Sequence, residues 1–248
     1  LLKVELIVTD YVLKNIPIII NNLKNNNGKY RGLKGIIPQD TKINNMEIKD
    51  GILYIDFNKE LLNVNKDLEE KVIESLIYSL LDIKEINGIK ISIDGNDLKV
   101  LPNTNIYLDD ILTKNFGINK EYLVSSLKDI QKVTLYYYEE NNGNNYYVPV
   151  TKYLNSHDDK VKIIIDNLKN NYLSETNLMS YLTDKIKIEK YEYHDNMVTL
   201  SFNSLSDLEP NNIKEEVIYT LANSIFDSID TEKVVFMEKD NIIDIKMK

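Results

Sequence analysis

The sequence predicts an α+β protein built as two tandem repeats, each with two helices packed on one face of a small mixed β-sheet. Three observations carry that prediction. The stretch Asp50-Gly51-Ile52-Leu53-Tyr54-Ile55-Asp56-Phe57-Asn58 returns as Asp195-Asn196-Met197-Val198-Thr199-Leu200-Ser201-Phe202-Asn203, with Phe57 and Phe202 145 residues apart. The same offset carries residues 18–26 onto 163–171, where eight of nine letters agree. Helix-like and strand-like periodicities then follow in the same order in both copies. A register kept over separate segments makes each copy a folding unit with its own core.

The elements can be justified in order. Residues 3–8 alternate as a strand would, and Ile16, Ile19, Ile20 and Leu23 form one helix face over residues 12–26. Pro17 is placed early in that helix, where a missing N–H costs least. The counterpart helix carries Val161, Ile164, Ile165 and Leu168 behind Ser156 and Asp159, a capping-box-like start. Gly28, Gly32 and Gly35, set among Lys29, Arg31 and Lys34, read as a connecting loop or, less specifically, an anion cradle.

Asp50-Gly51 between two apolar runs is a hairpin signal, and alternation puts Leu53, Ile55 and Phe57 on the core face, with Val198, Leu200 and Phe202 as their second-copy partners. Leu68, Val72, Ile73, Leu76, Ile77, Leu80 and Leu81 form the stripe of a second helix, ended by Gly88; its partner carries Ile213, Val217, Ile218, Leu221, Ala222, Ile225 and Phe226. Residues 89–93 match the strand containing Val234, Val235 and Phe236, and Asp94-Gly95-Asn96 is a turn. The copies span residues 1–101 and 132–248. Residues 102–131 between them are too apolar for a floppy linker and are expected to pack and fix the copies' orientation. The second copy opens with a hairpin through Asn142-Gly143. Its first arm lacks a counterpart in copy one, which predicts a further strand upstream of Leu1 and an exposed sheet edge without it.

Composition narrows the function. A net charge of -9 repels phosphate backbones and anionic lipid, which argues against nucleic acid or a membrane surface as partner. The chain has no cysteine, so disulfides, thiolate metal sites and cysteine nucleophiles are excluded. No apolar run is long enough to span a bilayer. The two histidines, His157 and His194, lie at a helix start and in a hairpin turn and read as surface residues. Neither a nucleophile elbow nor a His-Glu-x-x-His motif occurs, and paired acids such as Glu139-Glu140 and Asp158-Asp159 resemble solvated ends. No enzyme, no cofactor and no metal is expected.

Tyrosine stands above background, with 17 in the chain. Tyr136, Tyr137, Tyr138, Tyr146 and Tyr147 are the candidate interaction surface, an aromatic platform for protein or glycan. The alternative is strand propensity alone, because tyrosine suits a half-buried strand. A triple run must turn either Tyr137 or the pair Tyr136 and Tyr138 outward unless another layer covers it.

Pro149-Val150-Thr151 before a helix, Asp50-Gly51 followed by Tyr54-Ile55-Asp56-Phe57-Asn58-Lys59-Glu60, Ile91-Ser92-Ile93-Asp94-Gly95, and Gly117-Ile118-Asn119-Lys120-Glu121-Tyr122 together resemble the tandem GerM-domain family of spore-forming bacteria. Asn196, where the family has glycine, and residues 205–207 depart from its pattern. The resemblance implies a sporulation and germination lipoprotein on the outer face of the membrane, in the space between mother cell and forespore. It implies modules similar to the ring-building motifs of secretion machines, a non-enzymatic role in assembling or anchoring the channel complex, and an N-terminal lipid anchor removed from this chain. Its expected partners are protein components of that channel or envelope complex, with peptidoglycan binding as the alternative.

Overall fold

A computed structural model describes the backbone of residues 2–24, 35–141, 144–169, 177–183, 186–205 and 212–248, and their side chains except those of residues 2–10, 141, 144, 145, 212 and 213. The chain divides into two units, Leu1–Ile118 and Asn119–Lys248. Both are α+β with mixed sheets.

The first unit opens with one helix, α1 (Leu2–Lys24). This corrects the strand expected over residues 3–8. Six apolar-rich residues fit either period, and a helix closes its own backbone hydrogen bonds whereas a strand needs a partner. Pro17 therefore lies inside the helix and not in its first turn. Val12, Ile16 and Ile20 are buried, with Ile19 and Leu23 packed beside them. The N–H groups of Ile36 and Ile37 both donate to the Leu23 carbonyl and close the helix end. Of the expected glycine loop, Gly28, Lys29, Arg31, Gly32 and Lys34 lie outside the described residues.

Strands β1 (Ile43–Lys49) and β2 (Ile52–Phe57) form an antiparallel hairpin. Its turn residues Asp50 and Gly51 have φ of 50° and 74°, as a two-residue turn matched to strand twist requires. Helix α2 (Lys66–Leu80) crosses to β3 (Gly88–Ile93), parallel to β2, and a short β4 (Asn96–Asp97) completes the order β1-β2-β3-β4. Leu53, Ile55 and Phe57 are buried, and α2 buries Val72, Ile73, Leu76, Ile77 and Leu80 in the same core. Leu68, at the start of the expected stripe, is exposed. Gly88 does not end the helix; it opens β3, after a turn that begins at Leu81.

The residues expected to form a connecting segment divide between the two units. Leu101, Leu108 and Leu112 belong to the first core, and Leu112 bridges Ile89. Buried Glu69 of α2 accepts hydrogen bonds from the N–H of Asn103 at 2.9 Å and from the N–H and hydroxyl of Thr104 at 2.8 and 2.7 Å. Glu121 and the residues after it belong to the second unit.

In the second unit, β5 (Glu121–Leu123), β6 (Ile130–Asn141) and β7 (Asn144–Asn155) form a separate three-stranded sheet in the order β5-β7-β6. The hairpin was expected to supply a strand to the mixed sheet itself; pairing with β5 puts it in its own sheet. Its turn, Asn142-Gly143, lies outside the described residues. Then follow α3 (Lys160–Lys169), β8 (Ile188–His194), β9 (Met197–Phe202), α4 (Asn212–Ser228), β10 (Lys233–Glu238) and β11 (Asn241–Met247).

The four strands β11-β10-β9-β8 repeat the first sheet's antiparallel, parallel and antiparallel pairings. The hairpin irregularities coincide: register shifts fall between Ile43 and Asn45 and, 145 residues on, between Ile188 and Lys190, while a further shift at Phe236 and Met237 against β11 has no counterpart between β3 and β4. Asn196 takes φ of 56°, so asparagine substitutes for the glycine of the other copy. Val198, Leu200, Phe202, Val234 and Phe236 share one core with α3, α4 and β6. Asp159, not Ser156, caps α3 by accepting from the Lys162 N–H at 3.0 Å.

Candidate functional site

The tyrosine run sits in the middle of β6, whose residues alternate between two environments. Tyr137 is 1% exposed and joins Val133 and Leu135 in the core. The ammonium of Lys152 lies 5.5 Å from its ring centroid, and Glu121 stands 3.7 Å from that ammonium. Burial, with the Glu121 charge adding to it, pushes the Tyr137 phenol well above its ordinary range. Burial pulls the Lys152 ammonium down while Glu121 opposes that shift.

Tyr136 is 8% exposed and its phenol donates to Asp227 at 2.6 Å. Neither residue can serve as an open aromatic platform. Tyr138, half-buried, stacks on Tyr181 with centroids 3.8 Å apart. Tyr147 meets Tyr219 at 4.3 Å, and Tyr146 is half-buried. The accessible part of the cluster is thus Tyr138, Tyr146 and Tyr147, joined by Tyr181 and Tyr219 from other elements.

What covers the run is α4. The N–H groups of Thr134 and Tyr136 donate to the hydroxyls of Ser228 and Ser224 at 2.8 and 2.9 Å, and the Ser228 hydroxyl donates back to the Thr134 carbonyl at 3.2 Å. One step further, Tyr138 and Met179 exchange both backbone hydrogen bonds at 2.8 Å. A free strand edge is a template for unwanted pairing; here two serines one helical turn apart occupy it. Their spacing within the apolar stripe of α4 was the available sequence signal.

Beside β7, a cleft of about 300 Å³ is lined by Asn119, Glu121, Glu139 and Asn177 together with Val148, Val150 and Leu178. Amides and carboxylates beside apolar side chains suit a hydroxyl-rich ligand. His157 is exposed, 3.6 Å from Asp129, and His194 ends β8 on the surface. Among the described residues, no group of three His, Cys, Asp or Glu side chains converges to hold a metal. No helix there is long and apolar enough to cross a membrane.

Residues 14–99 match a family model described as sporulation and spore germination. Over 210 residues the chain is 30% identical to the spore germination protein GerM of Bacillus subtilis strain 168, covering 82% of this chain and 57% of that protein. The chain therefore spans little more than half the length of that curated relative. The solved tandem GerMN domains of the sporulation protein GerM from Bacillus subtilis superpose with a TM-score of 0.75 at 26% identity, over 90% of this chain and 82% of that one.

Proposed function

Because the chain belongs to the tandem GerM-domain family of sporulation and spore germination proteins, we propose that it acts without catalysis, as an extracytoplasmic module that assembles or anchors the channel complex between mother cell and forespore. The observation that carries this reading is a contrast between its two units. They repeat one topology with matched turns and bulges, yet their outer sheet faces differ.

The first outer face carries ion pairs beside Ile52 and Tyr54: Lys90 pairs with Asp97 at 2.8 Å, and Lys49 pairs with Glu47 at 2.7 Å. At the equivalent positions the second has Val235 for Lys90, Met237 for Ser92 and Ile242 for Asp97. A duplicated fold with two dissimilar faces suits a protein that holds different neighbours. Its partners under this reading are protein components of the channel, met in the space between the two membranes. The experiment is co-purification of the chain with channel ectodomains from the same organism. Binding that is lost with charge reversal at Lys90 and Asp97, or with polar replacement of Met237 and Ile242, supports the assembly role; no binding to any component removes its main support.

A second reading rests on the cleft beside β7, whose amides and carboxylates could hydrogen-bond an envelope glycan. Sedimentation with purified peptidoglycan tests it. Saturable binding abolished by Glu139→Gln and Asn177→Ala would favour glycan recognition over protein assembly.

A further inference from the structure

Three sheets present six edges, and among the described residues five are blunted. Strands β1 and β8 carry charged side chains and a bulge. Strand β4 has two residues and β5 three. Strand β6 is covered by Ser224, Ser228 and Met179. These are the usual ways of keeping an edge from pairing with another chain.

Strand β11 also carries charges, Asp244 and Lys246, and a register shift against β10, but it differs from the other long edges in its row of exposed aliphatic side chains. It runs for seven residues, with Ile242, Ile245 and Met247 at 60, 41 and 66% exposure. Its counterpart β4 is too short to form such an edge. On the outer face Ile245 lies beside Val235, which is 5% exposed, and Ile242 beside half-buried Met237, so the accessible apolar surface is that of β11 itself with the edge of Met237.

We propose that β11 is a homotypic interface, pairing antiparallel with β11 of a second copy about a two-fold axis through Ile245. The Lys248 N–H donates inward, to Glu232 beside β10. By strand alternation the N–H and C=O of Ile245 point to the free edge. In the single chain that N–H is held by the Asp244 carboxylate at 2.7 Å, and Asp244 also pairs with Lys246 at 3.0 Å.

On the axis, Ile245 exchanges two backbone bonds with Ile245 of the second copy. The same register sets Asp244 against Lys246 of the second copy, and Lys246 against its Asp244. One strand thus carries both halves of a self-complementary charge pattern, which is what a two-fold contact requires. Ile245 and Met247 of both copies fall on the same outer side and join the two apolar faces. The occupant is a second copy because the charge order of the strand, Asp244 and Lys246 on either side of Ile245, is complementary to itself in this register.

Sedimentation and light scattering on the full chain test the pairing. The expected result is a mass that doubles with concentration, a loss of dimer in Ile245→Lys, a weaker dimer in Asp244→Lys, and recovery in Asp244→Lys with Lys246→Asp. Circular dichroism identifies any variant that fails to fold. The chain has no cysteine, so Ile245→Cys is a clean probe. A hydrogen-bonded antiparallel pair places its Cα atoms about 5.5 Å apart, within disulfide reach, and this variant should cross-link far faster than Tyr193→Cys on β8. A single-chain mass at every soluble concentration, a dimer untouched by Ile245→Lys, or no recovery in the charge swap overturns the proposal. The inference goes beyond the channel-assembly role and can fail separately from it, because Ile245→Lys can be tested for channel binding in the same co-purification.

Discussion

Asn58 holds Lys42 by two hydrogen bonds: its side-chain oxygen accepts from the Lys42 N–H at 2.8 Å, and its own N–H donates to the Lys42 carbonyl at 3.0 Å. Asn203 and Lys187 repeat the arrangement at 3.2 and 3.1 Å, 145 residues later. The clip joins the residue after β2 to the residue before β1, closing the open end of the hairpin. Replacing Asn58 by Ala should cost about 1–2 kcal/mol, because it removes this side-chain bond and the one that the Asn58 amide donates to the Asp40 carbonyl at 3.0 Å. Amide exchange should show Lys42 losing protection while the second unit is unchanged, and Asn203→Ala should do the converse at Lys187.

The serine pair of α4 predicts a larger effect because the groups it satisfies are buried. Ser228→Ala leaves the Thr134 N–H without its acceptor, and Ser224→Ala does the same to Tyr136. Each should destabilise the second unit by roughly 1–3 kcal/mol, read from thermal melts. Light scattering should show greater aggregation, since the edge of β6 is then uncapped.

Gly88 is required by crowding. A Cβ built there would lie 2.4 Å from a methyl of Ile111 and 3.0 Å from one of Ile52. Gly88→Ala should therefore cost about 1–3 kcal/mol, as overpacking does. Adding Ile111→Ala should recover much of that loss in a denaturant titration, because it removes the nearest methyl.

The Tyr191 phenol donates to Asp159 at 2.6 Å, coupling β8 to the cap of α3. Desolvation raises the Asp159 carboxyl, but bonds from Tyr191 and from the Lys162 and Val161 N–H groups outweigh it and hold the carboxyl below its ordinary value. Its contribution is full above the unfolded aspartate pKa, about 3.9, and is lost as pH falls through the lower folded value. The bond to Asp159, then burial, raises Tyr191 to about 12. That contribution is full below the unfolded tyrosine value, about 10, and is lost as pH rises through the folded one. Ultraviolet titration should find several late-ionising tyrosines, Tyr137 among them, of which one returns toward the ordinary value in Asp159→Asn, and that variant should lose less stability in acid.

The repeat made much of the fold legible. A constant offset located both hairpins, both core faces and the main helix stripes, because turns and buried alternation are local properties. The start of the chain was not legible, since the apolar residues of 3–8 fit two periods. Glu69 was hidden for another reason: a glutamate in the first turn of a helix looks solvated until residues 103 and 104 are brought onto it. The tyrosine run misled in the same way. Its alternation was readable, but its cover comes from Ser224, Asp227 and Ser228, about ninety residues away in sequence. Of the proposed surface, the residue types were legible and their accessibility was not.

The coincidence of clip, bulge and turn has a consequence for engineering. Residues 42–58 and 187–203 are cassettes of equal length whose boundary bonds are the same. Exchanging one for the other would transplant a set of outward side chains while leaving the receiving backbone its hinges and closures. A chimera would separate the outward side chains of the hairpins from Lys90, Ser92 and Asp97 and from their counterparts Val235, Met237 and Ile242, which stay with the receiving unit.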